Sequence, residues 1–230
     1  MTVFSLPDNC AAILFDMDST LYSNPEYARS QIDLPIERLA YLRGKTFDEM
    51  NGIIKRYRNE WAREHGGQQI SLGNIFKTFG VSIDETIRWR EELYQPEHYL
   101  TEDRQLRSAL EQLDARFSLA VVTNNPVSIA SRTLRVLGVE EMFHARTFVQ
   151  RTSVERTLVR IVGLDTCGVS KPHKKPFLRA AILCGVAPES CISVGDRYDI
   201  DIALPLELGM GGILVNGVED VYKLPELLTA

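Results

Sequence analysis

The stretch Ile13-Leu14-Phe15-Asp16-Met17-Asp18-Ser19-Thr20 sets two carboxylates two residues apart, directly after a run without charge. Apolar residues from Ala11 to Phe15, bounded by turn-type Pro7, Asp8 and Asn9, read as a short strand buried on both faces. Strand side chains alternate, so Asp16 and Asp18 point roughly the same way at the strand's C-terminal end while Met17 turns aside. In an open α/β sheet that end is where ligands bind.

Working outward, the pattern after this strand is helical to about residue 115. Asn24 before Pro25 is N-cap chemistry, and the helix it starts runs to Gly44 with a kink or break at Pro35. Thr46 and Glu49 form a capping-box pattern ahead of Phe47, Met50, Ile53, Ile54, Tyr57 and Trp61 at helical spacing, stopped by Gly66-Gly67. Leu72 to Phe79 reads as a short helix, and Ser82 with Glu85 caps another through Leu93. A linker follows from Pro96 to Leu100, then a helix carrying Leu106, Ala109, Leu110 and Leu113. The aromatic stripe from Phe47 to Trp61 reads as helical core rather than a ligand platform.

A second buried strand runs from Phe117 to Thr123 and ends in Asn124-Asn125-Pro126, after which a helix stops at Gly138. Phe143 to Val149 reads as a strand, Arg151 to Arg156 as a loop or insertion, and Leu158 to Leu164 as another strand. Ser170, Lys171 and Pro172 mark a loop, and Pro176 begins a helix. Cys191 to Val194 is a strand ending in Gly195-Asp196, followed by a short helix to Leu208 and a last strand from Ile213 to Val215. Gly209, Gly211 and Gly212 read as turn glycines. Alternating β and α segments predict an α/β fold, a Rossmann-like parallel sheet with helices on both faces.

Composition narrows the function. The 230 residues are 44% hydrophobic, enough for a large core, and the net charge of -5 with no dominant Lys/Arg cluster argues against a nucleic-acid polymer as partner. Cys10, Cys167, Cys184 and Cys191 form no CxxC pair, and with four scattered histidines they make no zinc spacing. They read as reduced thiols of a cytoplasmic protein. No apolar run approaches the ~20 residues that span a bilayer, and no secretory pattern opens the chain, so no membrane is expected as partner.

Three strand ends deliver polar groups: Asp16 and Asp18, Thr123 and Asn124, and Asp196 with Asp199 and Asp201. In a parallel sheet they converge on one edge. Several carboxylates there repel one another unless a cation sits among them, and hard oxygen donors suit Mg²⁺. Lys171, with Lys174 and Lys175 as competitors, adds a positive charge; Thr123 alone also reads as a helix cap, and His173 as a bystander. Metal, lysine and hydroxyl together suit a phosphoryl group.

Asp16-Met17-Asp18-Ser19-Thr20, then Thr123, then Lys171-Pro172, then Gly195-Asp196 with Asp201 resembles the four ordered motifs of the haloacid dehalogenase superfamily. The resemblance covers the core, residues 1–21 and 101–230, and residues 22–100 look like that family's inserted helical cap domain. It implies a phosphatase acting through an aspartyl-phosphate, with Asp16 as nucleophile and Asp18 as general acid and then base. Mg²⁺ is implied on Asp16, Asp196 and the backbone carbonyl of Asp18. Thr123, Asn124 and Lys171 are implied to bind the substrate phosphate. Asp201 falls at the second acid of the fourth motif, which implies that it supports the metal ligands or binds the metal itself; Asp199 competes for that place, and spacing favours Asp201. The substrate implied is a small phosphorylated metabolite. Thr20-Leu21-Tyr22 resembles the pyrimidine 5'-nucleotidase-like branch, which names a nucleoside monophosphate, with phosphoglycolate, a sugar phosphate or phosphomutase chemistry as rivals. A reading of a different class is a non-catalytic binding protein on the same fold.

Overall fold

The computed structural model describes residues 1–67, 70–149 and 154–229. It divides into two compact units, residues 1–23 with 96–230, and residues 24–95. The chain begins with β1 (Thr2–Ser5) and β2 (Ala12–Phe15), then runs through α1 (Pro25–Leu42), α2 (Phe47–Glu64), α3 (Leu72–Thr78) and α4 (Ile83–Leu93). It continues with α5 (Arg104–Asp114), β3 (Ser118–Val122), α6 (Val127–Val136), β4 (His144–Val149), β5 (Val154–Val159) and β6 (Ile161–Val162). After α7 (Leu164–Cys167) and α8 (Lys174–Cys184) come β7 (Cys191–Gly195), a π turn at Tyr198–Ile202, α9 (Ala203–Glu207) and β8 (Gly211–Leu214). Two short helices, α10 (Val218–Val221) and α11 (Leu224–Thr229), close the described chain.

Six strands form one sheet in the order β1-β8-β7-β2-β3-β6, parallel except for the antiparallel β1. Ala12, Ile13, Leu14 and Phe15 are all buried, as a central strand covered on both faces requires. Phe15 is level with Val121 of β3 and Val194 of β7, so the three strands end together and release Asp16, Thr123 and Asp196 at one edge. Leaving β2, the chain goes on to β3 on one side and later to β7 on the other, which makes this edge a topological switch point. Phe177, Ala180 and Ala181 of α8 pack on Leu14, Ala120 and Val122 beneath it.

The second unit is all helix. Both expected capping boxes form, Thr46 with Glu49 and Ser82 with Glu85. Its core gathers Ile36, Leu39, Met50, Ile54, Ile75, Phe76 and Trp89. Helix α1 passes through Pro35 without a break. Proline has no N–H to give the Gln31 carbonyl four residues back, and the Tyr94 hydroxyl donates to that oxygen instead at 2.6 Å.

Other local expectations shift. The stretch read as strand, loop and strand between Phe143 and Leu164 contains an antiparallel hairpin, β4 with β5, and then the two-residue β6; Leu164 already starts a helix. Residues 151–153 of the expected loop lie outside the described residues, and Val154 onward is strand. Helix α8 starts at Lys174, two residues before Pro176, because the His173 ring caps it by accepting from the Lys175 N–H at 3.1 Å. Gly211 and Gly212 are strand residues, not turn residues. A Cβ on Gly211 would lie 2.7 Å from the Ser5 carbonyl, and one on Gly212 would lie 2.8 Å from Ile202, so close packing demands both. Among the described residues no helix is long and apolar enough to cross a membrane.

Candidate active site

Asp16 follows β2 directly, and its backbone N–H still donates to Val194 of β7 at 2.8 Å. One Asp16 carboxylate oxygen accepts from Lys171 Nζ at 2.5 Å, and the same ammonium donates to Asp201 Oδ1 at 2.6 Å. Asp16, Lys171 and Asp201 are all buried. Burial works against the charge on Lys171, but Asp16 and Asp201 hold its pKa above the usual lysine value. Lys175 donates instead to the Cys167 carbonyl at 2.7 Å, so of these two lysines it is Lys171 that meets the acids.

Asp201 is fixed from three directions. Its second oxygen accepts from the Arg197 N–H at 3.2 Å, and its carbonyl accepts from the Ser193 hydroxyl at 2.7 Å. Gly195 leaves it room, since a Cβ there would stand 2.4 Å from the Asp201 Cβ. Among the described residues Asp16, Asp196 and Asp201 place carboxylate oxygens within 4.8 Å of one another. Asp199 is not in that group.

Burial, reinforced by Asp16 and Asp201, pushes Asp196 up to about 7. Asp201 is also pushed up, by burial that outweighs Lys171. Three close carboxylates made only of hard oxygens fit a divalent cation such as Mg²⁺. The Asp18 side chain stands apart from this group: Tyr22 donates to its Oδ1 at 2.5 Å and the Asn125 amide to its Oδ2 at 2.8 Å.

Thr123, buried at the end of β3, accepts from the Asn125 N–H at 3.1 Å; it shapes the turn, and Pro126 takes the N-cap position of α6. Asn124 uses its side-chain oxygen to accept from the Lys171 N–H at 2.7 Å, tying the lysine loop to the end of β3. The sequence does not single out Asn125 and Arg197, and it marks Tyr22 only through the branch resemblance, not as a partner of Asp18. Arg197 lies close enough to Asp201, Asp16 and Asp196 for their charge to raise its pKa against the effect of burial.

A family model described as haloacid dehalogenase-like hydrolase matches residues 10–208, which takes in β2, β3, the Lys171 loop and β7. The chain belongs to this family. Within the haloacid dehalogenase-like hydrolases it is similar to glyceraldehyde 3-phosphate phosphatase of Methanopyrus kandleri, 26% identical over 210 residues that cover 86% of this chain and 81% of the relative. It is 24% identical over 217 residues to phosphoglycolate phosphatase of Escherichia coli strain K12, covering 85% and 78%. Its fold is that of a haloacid dehalogenase-family phosphatase from Thermococcus onnurineus, with a TM-score of 0.62, 19% identity, and coverage of 95% of this chain and 97% of the other.

Proposed function

We propose that this chain is a Mg²⁺-dependent phosphatase that hydrolyses a small phosphomonoester through an aspartyl-phosphate. The observation that carries the reading is the junction of Asp16, Lys171 and Asp201 at the end of a central strand, with Asp196 completing the acid group. An Asp16 oxygen attacks phosphorus, the bond to the leaving oxygen breaks, and Asp18 gives that oxygen its proton. In the second half Asp18 takes a proton from water, the water oxygen attacks phosphorus, and the bond to Asp16 breaks, releasing inorganic phosphate. Lys171 holds Asp16 in place and offsets charge on the phosphoryl oxygens.

Asp16, Asp196 and the Asp18 carbonyl would hold Mg²⁺, with Asp201 supporting through Lys171 and as a candidate ligand. When bound, Mg²⁺ supplies positive charge against the phosphoryl oxygens as a Lewis acid. Thr123 and Asn124 are assigned to phosphoryl oxygens, and Asn124 also ties the Lys171 loop through its side-chain oxygen. Asp18 separates phosphoester from carbon–halogen chemistry, because a halide leaves without a proton.

On the substrate, the curated relatives favour the alternative over the nucleotide reading. Phosphatases for glyceraldehyde 3-phosphate and phosphoglycolate are among them, so a short phosphorylated acid, aldehyde or sugar is the first choice. A nucleoside monophosphate is second, carried only by the Thr20-Leu21-Tyr22 resemblance. By the family resemblance the helical insertion is a cap that sets this preference. A scaffold without catalysis gains nothing from a costly cluster of like charges.

The test is a panel of 2-phosphoglycolate, glyceraldehyde 3-phosphate, hexose phosphates and nucleoside 5'-monophosphates, each with and without Mg²⁺. Mg²⁺-dependent phosphate release, highest in kcat/KM on the short compounds, is expected. Preference for nucleotides would overturn the substrate assignment, and no release from any of them would favour the scaffold.

A further inference from the structure

We infer that Tyr22 and Asn125 are positioning residues for Asp18, which they grip by its two oxygens and hold in one orientation. The inference rests on the phosphatase reading and extends it to residues outside the motif set. The Tyr22 hydroxyl donates to Oδ1 at 2.5 Å and the Asn125 amide donates to Oδ2 at 2.8 Å.

Both partners are themselves held. Between Asp18 and Tyr22 the chain doubles back: the Thr20 and Leu21 N–H groups both donate to the Met17 carbonyl, and Ser19 sits at φ 61°. A non-glycine residue in that left-handed region is uncommon and marks a turn enforced by its surroundings. Asp18 and Tyr22 then pair as a one-residue bridge. Asn125 reaches the same carboxylate from 107 positions away. Its N–H is held by the Thr123 hydroxyl, and its carbonyl accepts from the Leu164 N–H at 3.0 Å. Gly163 permits that approach, because a Cβ there would stand 2.7 Å from the Asn125 carbonyl. Tyr22 and Asn125 are each 4% exposed, so neither grip is diluted by solvent.

The two donors differ chemically. A carboxamide N–H only donates, so Oδ2 stays an acceptor throughout the cycle. A protonated Oδ1 keeps a lone pair, so the Tyr22 hydroxyl can donate to it in either form and leave the Oδ1 proton for the leaving oxygen. The grip therefore keeps the carboxyl in one orientation in both protonation states, as an acid that must become a base requires.

The experiment compares wild type, Tyr22→Phe, Asn125→Ala and the double variant with Mg²⁺ on two substrates. p-Nitrophenyl phosphate has a leaving group that departs without a proton; an alkyl phosphate, 2-phosphoglycolate, needs one. Expected for Tyr22→Phe is a kcat loss of about 10²-fold on the alkyl phosphate. That loss should exceed the loss in the aryl burst rate by at least about ten-fold, with KM little changed and a burst of nitrophenolate ahead of slow turnover. The double variant should lose less than the product of the single losses, since both act through Asp18. Equal losses on both substrates, or losses that follow melting temperature, would overturn the inference, as would single variants within about three-fold of wild type on both. If Tyr22→Phe does not fold, Asn125→Ala carries the same comparison. A wild type inactive on every phosphoester would instead remove the phosphatase reading itself.

Discussion

The Nζ atom of Lys171 donates to Oδ1 of Asp16 across 2.5 Å, although 155 positions of sequence separate them. A buried ammonium is tolerated only when paired, and here it is paired twice, since Asp201 accepts from it as well.

Replacing this lysine removes the charge that permits two buried carboxylates. Lys171→Met should abolish turnover and destabilise the protein by about 3–5 kcal/mol, the usual cost of breaking a buried pair from one side. Adding Asp201→Asn should recover part of that stability without recovering activity. Urea midpoints of the two variants check this, and an unchanged midpoint for Lys171→Met would contradict it.

The acid group also makes a prediction about metal. Mg²⁺ should raise the melting temperature, approaching a stabilisation of about 2.7 kcal/mol at a hundred times its Kd. Asp196→Asn should flatten that response, while the variant without Mg²⁺ should be at least as stable as wild type because one like charge is gone. Melting curves over a Mg²⁺ titration give the answer.

Much of this site can be read from the sequence because its chemistry follows apolar runs. Asp16, Thr123 and Asp196 stand one residue beyond uncharged strands, and parallel pairing brings strand ends together without further information. The proline neighbour favours Lys171 over Lys174 and Lys175, and spacing favours Asp201 over Asp199. Tyr22 and Asn125 were not separable from core and turn residues, because what distinguishes them is a shared partner, in one case 107 positions away. The contact of the Asn124 side-chain oxygen with the Lys171 N–H is one that no local pattern records. Strand β1 went unread since all four of its residues are exposed and show no alternation. Pro35 reads as a break, yet the helix runs through it, with the Gln31 carbonyl satisfied by the hydroxyl of Tyr94 just past α4.

That tyrosine gives a prediction for the helical unit. Tyr94→Phe leaves the Gln31 carbonyl without its donor and should cost about 1–3 kcal/mol. Pro35→Ala restores a backbone N–H to the same carbonyl, so the double variant should be less destabilised than Tyr94→Phe alone. Equal stabilities for the two would contradict the account.

Gly195 should tolerate no side chain. Gly195→Ala sets a Cβ 2.4 Å from the Asp201 Cβ and 2.6 Å from its Cγ, which forces Asp201 away from Lys171. Overpacking of this kind costs about 1–3 kcal/mol, and activity should fall further than stability alone explains. Activity measured well below the melting transition separates the two effects.

The most direct test of the central claim is hydrolysis of p-nitrophenyl phosphate by wild type and Asp16→Asn, with Mg²⁺ present. An amide at position 16 keeps the shape and removes the nucleophile, so turnover should drop by at least about three orders of magnitude with no burst of nitrophenolate. Turnover by Asp16→Asn within about ten-fold of wild type would contradict the assignment of Asp16 as nucleophile.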